Sequence, residues 1–136
     1  MATGAAPRGY PARSDEDGPT TMTRNQSAAT RGASTPALSV VVPVLNEVQN
    51  IVGLHAALTH TLMAWGGTYE LIVVDDGSTD GTRDVLRRLA SEDPHLSVYL
   101  FRRNFGQTAA MAQGFAAARG SRVVSMDGDL QNDPAD

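Results

Sequence analysis

Past residue 37 the chain settles into short apolar runs alternating with stretches whose apolar residues recur every three or four positions. The first run, Ser39 to Val44, is rich in β-branched residues, and Pro43 near its end predicts that the strand stops there. Asn46 is placed to cap a helix from Glu47 to about Trp65, with Ile51, Leu54, Leu58 and Leu62 on one face and Gly66-Gly67 as its stop. Tyr69 to Val74 reads as a second strand. Thr79 or Asp80 then caps a helix that turns Val85, Leu86 and Leu89 inward, and Pro94 closes that unit. Leu96 to Phe101 is a third strand, Gly106 to Arg119 a third helix and Arg122 to Met126 a fourth strand. Strands and crossover helices in this order predict an α/β architecture over 38–136, a Rossmann-like half-domain with a parallel sheet flanked by helices.

Residues 1–37 break this pattern. They are built from Ala, Gly, Ser, Thr, Pro and Arg around the acidic cluster Asp15-Glu16-Asp17. With almost no large apolar residue to bury, the segment is expected to be a disordered N-terminal tail. Its four Arg are nearly balanced by three acids, which argues against a basic membrane-touching arm.

Composition narrows the functional classes. The chain has 136 residues, 11 basic and 15 acidic, and a formal net charge of −4, so a general affinity for nucleic acid is not expected. All the basic residues are Arg. The absence of Cys removes disulfides, thiolate metal sites and a cysteine nucleophile, leaving oxygen or imidazole for any metal. No stretch has the roughly 18 apolar residues needed to cross a bilayer, and the sequence as written reads as cytoplasmic.

Ligands of open parallel sheets gather beyond the carboxyl ends of the strands. Here those ends are polar: Pro43-Val44-Leu45-Asn46-Glu47, Asp75-Asp76-Gly77-Ser78, Arg102-Arg103-Asn104-Phe105-Gly106 and Asp127-Gly128-Asp129-Leu130-Gln131. The first loop lacks G-x-G-x-x-G and there is no Walker loop, which disfavours nicotinamide dinucleotides and P-loop chemistry. Val44 and Leu45 can instead wall a flat base, with Glu47 as an acceptor; Asn46 and Glu47 also suit the plainer task of capping the helix. Adjacent carboxylates at a strand end point to opposite faces, so Asp75 is assigned to the turn at Gly77-Ser78 and Asp76 to a base N–H or ribose hydroxyl. The lack of any Lys argues against a response-regulator phospho-acceptor site.

Asp127-Gly128-Asp129 is the sharpest of these signals. Residues two apart on an extended strand share a side, so both carboxylates can approach one hard cation, Mg²⁺ or Mn²⁺, with the Gln131 amide oxygen as a third ligand. Arg102 and Arg103 can bind phosphate or brace the carboxylates. The small residues Ala109, Ala110, Gly114 and Ala117 read as close helix packing, and His55, His60 and His95 have no metal-ligand spacing.

The series VVVPVLNE at 40–47, VVDDGSTDGT at 73–82, RRNFGQTAAMAQGF at 102–115 and MDGDLQNDP at 126–134 resembles the inverting family 2 glycosyltransferases. Within them it is most similar to the polyprenyl-phosphate branch, which includes dolichyl-phosphate mannose synthase. The resemblance covers 38–136 and implies the nucleotide-sugar-binding half of a GT-A fold, transferring a sugar from a UDP- or GDP-sugar donor with inversion. It further implies that Pro43 and Glu47 line the nucleoside pocket and that Asp76 contacts base or ribose. Arg103, Asn104 and Gly106 match a loop that shapes the donor site. Asp127 and Asp129 match the D-x-D metal motif, with Gln131 as a further ligand and Gly128 where many relatives carry Ala. The implied acceptor is a polyprenyl phosphate, met at the cytoplasmic face of a membrane.

The family's acceptor-binding half has no counterpart here, and the chain stops ten residues after the fourth strand, so it reads as truncated. That exposes apolar surface and predicts self-association. Two other readings stay open: a catalytically inactive nucleotide-binding module, and a nucleotidyltransferase with a similar carboxylate pair.

Overall fold

The computed structural model describes residues 20–22 and 35–126. Its strands are β1 (Thr20–Met22), β2 (Leu38–Val44), β3 (Tyr69–Asp75), β4 (Leu96–Phe101) and β5 (Arg122–Ser125), and its helices are α1 (Ile51–Trp65), α2 (Thr82–Glu92) and α3 (Gln107–Ala117). They form one sheet in the order β1-β4-β3-β2-β5. β2 to β5 run parallel, and β1 pairs antiparallel with β4.

β2, β3 and β4 are buried on both faces, which is why they read as nearly continuous apolar runs. Alternate residues divide two cores. Val40, Val42, Val44, Leu71, Val73, Val98 and Leu100 pack with Ile51, Leu54, Leu58, Leu62, Leu86 and Leu89 of α1 and α2. Val41, Ile72, Val74, Tyr99 and Phe101 pack with Ala110 of α3. The second layer is thin because α3 lies close to the sheet: a Cβ on Gly114 would stand 2.2 Å from Val41 Cγ1. The small residues of that helix are packing residues, as expected.

The chain steps from β2 to β3 to β4, then crosses back over the opposite face to place β5 on the far side of β2. The direction of winding therefore reverses between β2 and β5. Such a reversal opens a crevice at the carboxyl ends of the two strands.

Several boundaries differ from the sequence reading, each for a local reason. β2 continues through Pro43 to Val44. Among the described residues β5 pairs with β2 as far as Val41, where the Met126 N–H bonds the Val41 carbonyl at 3.1 Å, and Pro43 is the next residue on the same ladder side. Its missing N–H takes no bond from the described ladder. α1 begins at Ile51 instead of Glu47, because the Glu47 carbonyl accepts the N–H groups of both Asn50 and Ile51 in a turn. Asn46 takes φ +53° and does not cap α1. α2 begins at Thr82 with Gly81 at the N-cap, and Asp80 reaches the Thr82 N–H from one residue earlier. Gly66 ends α1 in the left-handed conformation, as expected.

The tail reading is also altered. Thr20–Met22 forms an edge strand in register with Tyr99 to Phe101, and Pro36 and Ala37 bond the segment before β5. The rest of 1–34 lies outside the described residues. Among the described residues, no helix is long and apolar enough to cross a membrane.

Candidate functional site

Three loops meet at the carboxyl edge of β2, β3 and β4, and side chains of the Asp75 to Thr82 run bind them together. Asp75 is wholly buried and accepts the Ser78 N–H at 2.9 Å and the Ser78 hydroxyl. Burial pushes its carboxyl above the ordinary range, opposed by the bonds from Ser78. Three successive amides of the β2–α1 loop then donate across the gap. The Asn46 N–H reaches Ser78 Oγ at 2.7 Å, the Glu47 N–H reaches Thr82 Oγ1 at 2.9 Å, and the Val48 N–H reaches Asp80 Oδ2 at 3.2 Å. Asn46 Oδ1 returns the contact by accepting the Thr79 N–H at 2.8 Å. The Thr82 hydroxyl holds Asp80 Oδ1 at 2.6 Å, and that bond lowers the Asp80 carboxyl below its ordinary value.

Asp76 makes the second link. Only 4% exposed, it accepts the Phe105 N–H at 2.8 Å on Oδ1, the Gly106 N–H at 3.1 Å on Oδ2 and Asn104 Nδ2 at 3.1 Å. Its carboxylate occupies the N-terminus of α3, where a negative charge is favoured. Gly77 permits this approach. It has φ +84°, and a Cβ there would lie 2.3 Å from the Arg103 carbonyl carbon and 2.5 Å from the Asn104 nitrogen.

The sequence-derived candidates fall into three groups. Pro43 is buried at the end of β2, and Glu47 is half-buried with Oε1 accepting Asn50 Nδ2 at 2.9 Å. Pro43 in the strand and Glu47 in the loop that follows it both sit at the carboxyl end of β2, beside the winding reversal. Asn104 and Gly106 are each bonded to Asp76, while Arg103 is exposed, with its guanidinium carbon 4.2 Å from the centre of the Phe105 ring. Phe105 meets Phe101 edge-on, so this cation rests on a supported aromatic surface.

Asp127, Asp129 and Gln131 lie outside the described residues. The chain enters them from Met126, whose N–H is fixed to β2. Two carboxylates and an amide oxygen are a donor set suited to a hard divalent cation. Among the described residues, no group of three His, Asp or Glu is arranged to hold a metal.

Sequence reasoning missed the stitching role of Asn46, Ser78, Asp80 and Thr82. A usable signal was present: alternate hydroxyl and carboxylate residues directly after an apolar strand have nothing to bond within a helix. They are free to bond a neighbouring loop.

Comparison with known proteins agrees with this geometry. Glycosyl transferase family 2 matches residues 39–136. The dodecaprenyl-phosphate galacturonate synthase of Rhizobium johnstonii is 44% identical over 111 residues, 78% of this chain and 33% of that protein. The undecaprenyl-phosphate 4-deoxy-4-formamido-L-arabinose transferase of Aeromonas hydrophila is 41% identical over 98 residues, 71% of this chain and 30% of that protein. The chain thus spans about a third of the length of these curated relatives. Among solved structures, the mannosyltransferase PcManGT of Pyrobaculum calidifontis in complex with GDP-Man and Mn²⁺ superposes with a TM-score of 0.59 at 25% identity, covering 84% of this chain and 32% of that one. S. aureus TarS 1–349 in complex with UDP gives a TM-score of 0.56 at 27% identity, covering 68% and 27%. The four ordered motifs, the parallel sheet with its flanking helices and these matches lead to one assignment: the chain belongs to glycosyl transferase family 2 and forms part of a GT-A fold.

Proposed function

We propose that this chain is the donor-binding part of a glycosyltransferase that moves a sugar from a UDP- or GDP-sugar to a polyprenyl phosphate with inversion. The observation that carries the reading is the winding reversal between β2 and β5. It sets the Pro43–Glu47 loop beside the strand that leads into Asp127, Gly128 and Asp129. A nucleoside enters against Pro43 and Glu47, and its diphosphate extends toward the end of β5. Solved neighbours in complex with GDP-Man and Mn²⁺ in one case and with UDP in another support a nucleotide donor. The names of the curated relatives support a polyprenyl-phosphate acceptor.

Asp127, Asp129 and Gln131 would hold the Mg²⁺ or Mn²⁺. Such a cation, when bound, acts as a Lewis acid on the negative charge that develops on the departing nucleoside diphosphate. The protein's own part is to orient and to balance charge. Asp76 fixes Asn104 and Gly106 so that the third loop holds its shape, and Arg103, braced on Phe105, offers a cation to phosphate oxygens. A phosphate acceptor is already an anionic nucleophile near neutral pH and needs no base to remove a proton.

Titration calorimetry of the chain with UDP and with GDP tests the reading. Binding is expected in the presence of Mn²⁺ or Mg²⁺ and is expected to be lost in Asp127→Ala and Asp129→Ala. Equal binding without metal in both variants would overturn it. Transfer of labelled sugar to a polyprenyl phosphate, assayed separately, distinguishes an active enzyme from a binding module.

A further inference from the structure

β5 is held differently from the other parallel strands. All four of its side chains are exposed, Val123 and Val124 at 40% and 46%, so burial of an apolar face does not select its register against β2. Instead, four consecutive amides at its start are each bonded to a fixed acceptor. The Arg119 N–H donates to Glu70 Oε2 at 2.7 Å and the Gly120 N–H to Ser39 Oγ at 2.8 Å. The Ser121 N–H reaches the Pro36 carbonyl at 3.0 Å, and the Arg122 N–H reaches the Ala37 carbonyl at 3.2 Å. The Ser39 hydroxyl in turn donates to Glu70 Oε2 at 2.6 Å, while Arg119 Nε approaches Oε1 at 3.3 Å.

Glu70 is thus a carboxylate buried at 5% exposure on β3, two strands from β5, on which Ser39 and Arg119 converge. A buried charge at this position costs desolvation that an apolar residue would avoid, and what it supplies is direction. Gly120 completes the fit. A Cβ there would stand 2.6 Å from Ser39 Oγ and 2.7 Å from the Ser39 nitrogen, so a larger residue would push the crossover off its anchor.

We infer that Glu70 is a positioning residue that, with Ser39, fixes the register of β5 against β2 and thereby decides which residue of the chain stands level with the end of β2. The anchor lies at the start of the strand and the candidate metal ligands follow its end. A slip of one residue exchanges odd-numbered and even-numbered positions, and Asp127 and Asp129 are both odd. The register claim stands on the hydrogen bonds alone; its consequence for the metal rests on the function proposed above.

The test is amide hydrogen exchange on the full chain, paired with Mn²⁺ titration in the presence of UDP or GDP followed by electron paramagnetic resonance. In Glu70→Gln, which keeps the volume but offers one acceptor oxygen in place of two, exchange at Arg122 and Met126 is expected to accelerate at least tenfold. The β3 amides of Ile72 to Val74 should keep their protection, and Mn²⁺ affinity should fall at least tenfold. Ser39→Ala, which removes the Gly120 acceptor and the hydroxyl that donates to Glu70 but leaves both Arg119 contacts with Glu70, should show the same selective effect more weakly and serves if Glu70→Gln does not fold. Unchanged exchange at Arg122 and Met126, or equal acceleration across the whole sheet, would overturn the register claim. Selective loosening with undiminished Mn²⁺ affinity would overturn the link to the metal. If the unaltered chain binds no Mn²⁺, the proposed function fails while the exchange data still decide the register.

Discussion

Oδ1 of Asp76 lies 2.8 Å from the backbone nitrogen of Phe105, and this contact joins the end of β3 to the turn that starts α3. With Gly106 and Asn104 on the same carboxylate, one side chain organises a loop that the sequence alone presents as an independent motif. Replacing Asp76 by Ala leaves the N–H groups of Phe105 and Gly106 without their acceptor. Charge-assisted bonds of this kind contribute about 1.5–3 kcal/mol each, and the losses within one cluster are not additive. The expected outcome for Asp76→Ala is a destabilisation of about 3 kcal/mol in urea denaturation. Asp76→Asn should lose less, since its amide oxygen can still accept from one of the two amides.

Gly77 is the steric counterpart of that contact. Its φ of +84° is strained for any side chain, and an added Cβ would fall 2.3 Å from the Arg103 carbonyl carbon, a backbone atom that cannot swing aside. Gly77→Ala is therefore expected to cost at least about 2 kcal/mol, a fall in melting temperature of about 8 °C or more for a domain of this size. Gly53→Ala is the control, with open space at its Cβ position and no positive φ. It should leave the melting temperature unchanged or raise it slightly.

How much of this was legible in the sequence depends on the range of the forces involved. The parallel strands and helices were readable because β2, β3 and β4 carry unbroken apolar runs, while α1 repeats Ile51, Leu54, Leu58 and Leu62 at helical spacing. Asp75 was assigned to its turn because the bond to Ser78 is local. The start of α1 was misplaced because Asn46 is drawn to Ser78 and Thr79, 32 and 33 residues away, and a cap preference does not report so distant a competitor. Glu70 was invisible for the same reason: its partners, Ser39 and Arg119, come from 31 residues before it and 49 after. β1 was missed because Thr20–Met22 lies in a stretch of small and polar residues, and only pairing with β4 makes it a strand.

The acid limb of the stability curve should carry two opposing contributions. Burial raises the Asp93 carboxyl, but the bond from His55 at 2.7 Å, that from the His95 N–H at 2.9 Å and the charge of His55 outweigh it and leave Asp93 below its ordinary value of 3.8. The unfolded chain therefore takes up this proton first. Asp93 contributes its full stability above the ordinary value and loses it as pH falls from there through the lower folded value. Asp75 has the opposite sign, since burial raises it and its folded form holds the proton to higher pH. Its ionisation costs stability as pH rises through that window. Urea midpoints measured between about pH 6 and pH 3 should show a shallower acid loss in Asp93→Asn and a steeper one in Asp75→Asn than in the unaltered chain.

Arg103 offers a prediction that separates binding from folding. Its side chain is exposed, and its described contact is the face of Phe105, so removing it should barely change stability. If the guanidinium meets the donor's phosphates, Arg103→Ala should weaken metal-dependent UDP or GDP binding by about tenfold, equivalent to about 1.4 kcal/mol. Arg103→Lys should recover only part of that affinity, because an ammonium keeps the charge but neither stacks on the ring nor offers paired donors. Phe105→Leu keeps the charge and removes the aromatic surface that orients it, and it also takes away the edge contact with Phe101. That variant should therefore lose both some affinity and some stability, and Arg103→Ala affinity alone. Calorimetric binding constants set beside melting temperatures for the three variants check this ordering. An Arg103→Ala chain that binds nucleotide as tightly as the unaltered one would place the phosphates away from this loop.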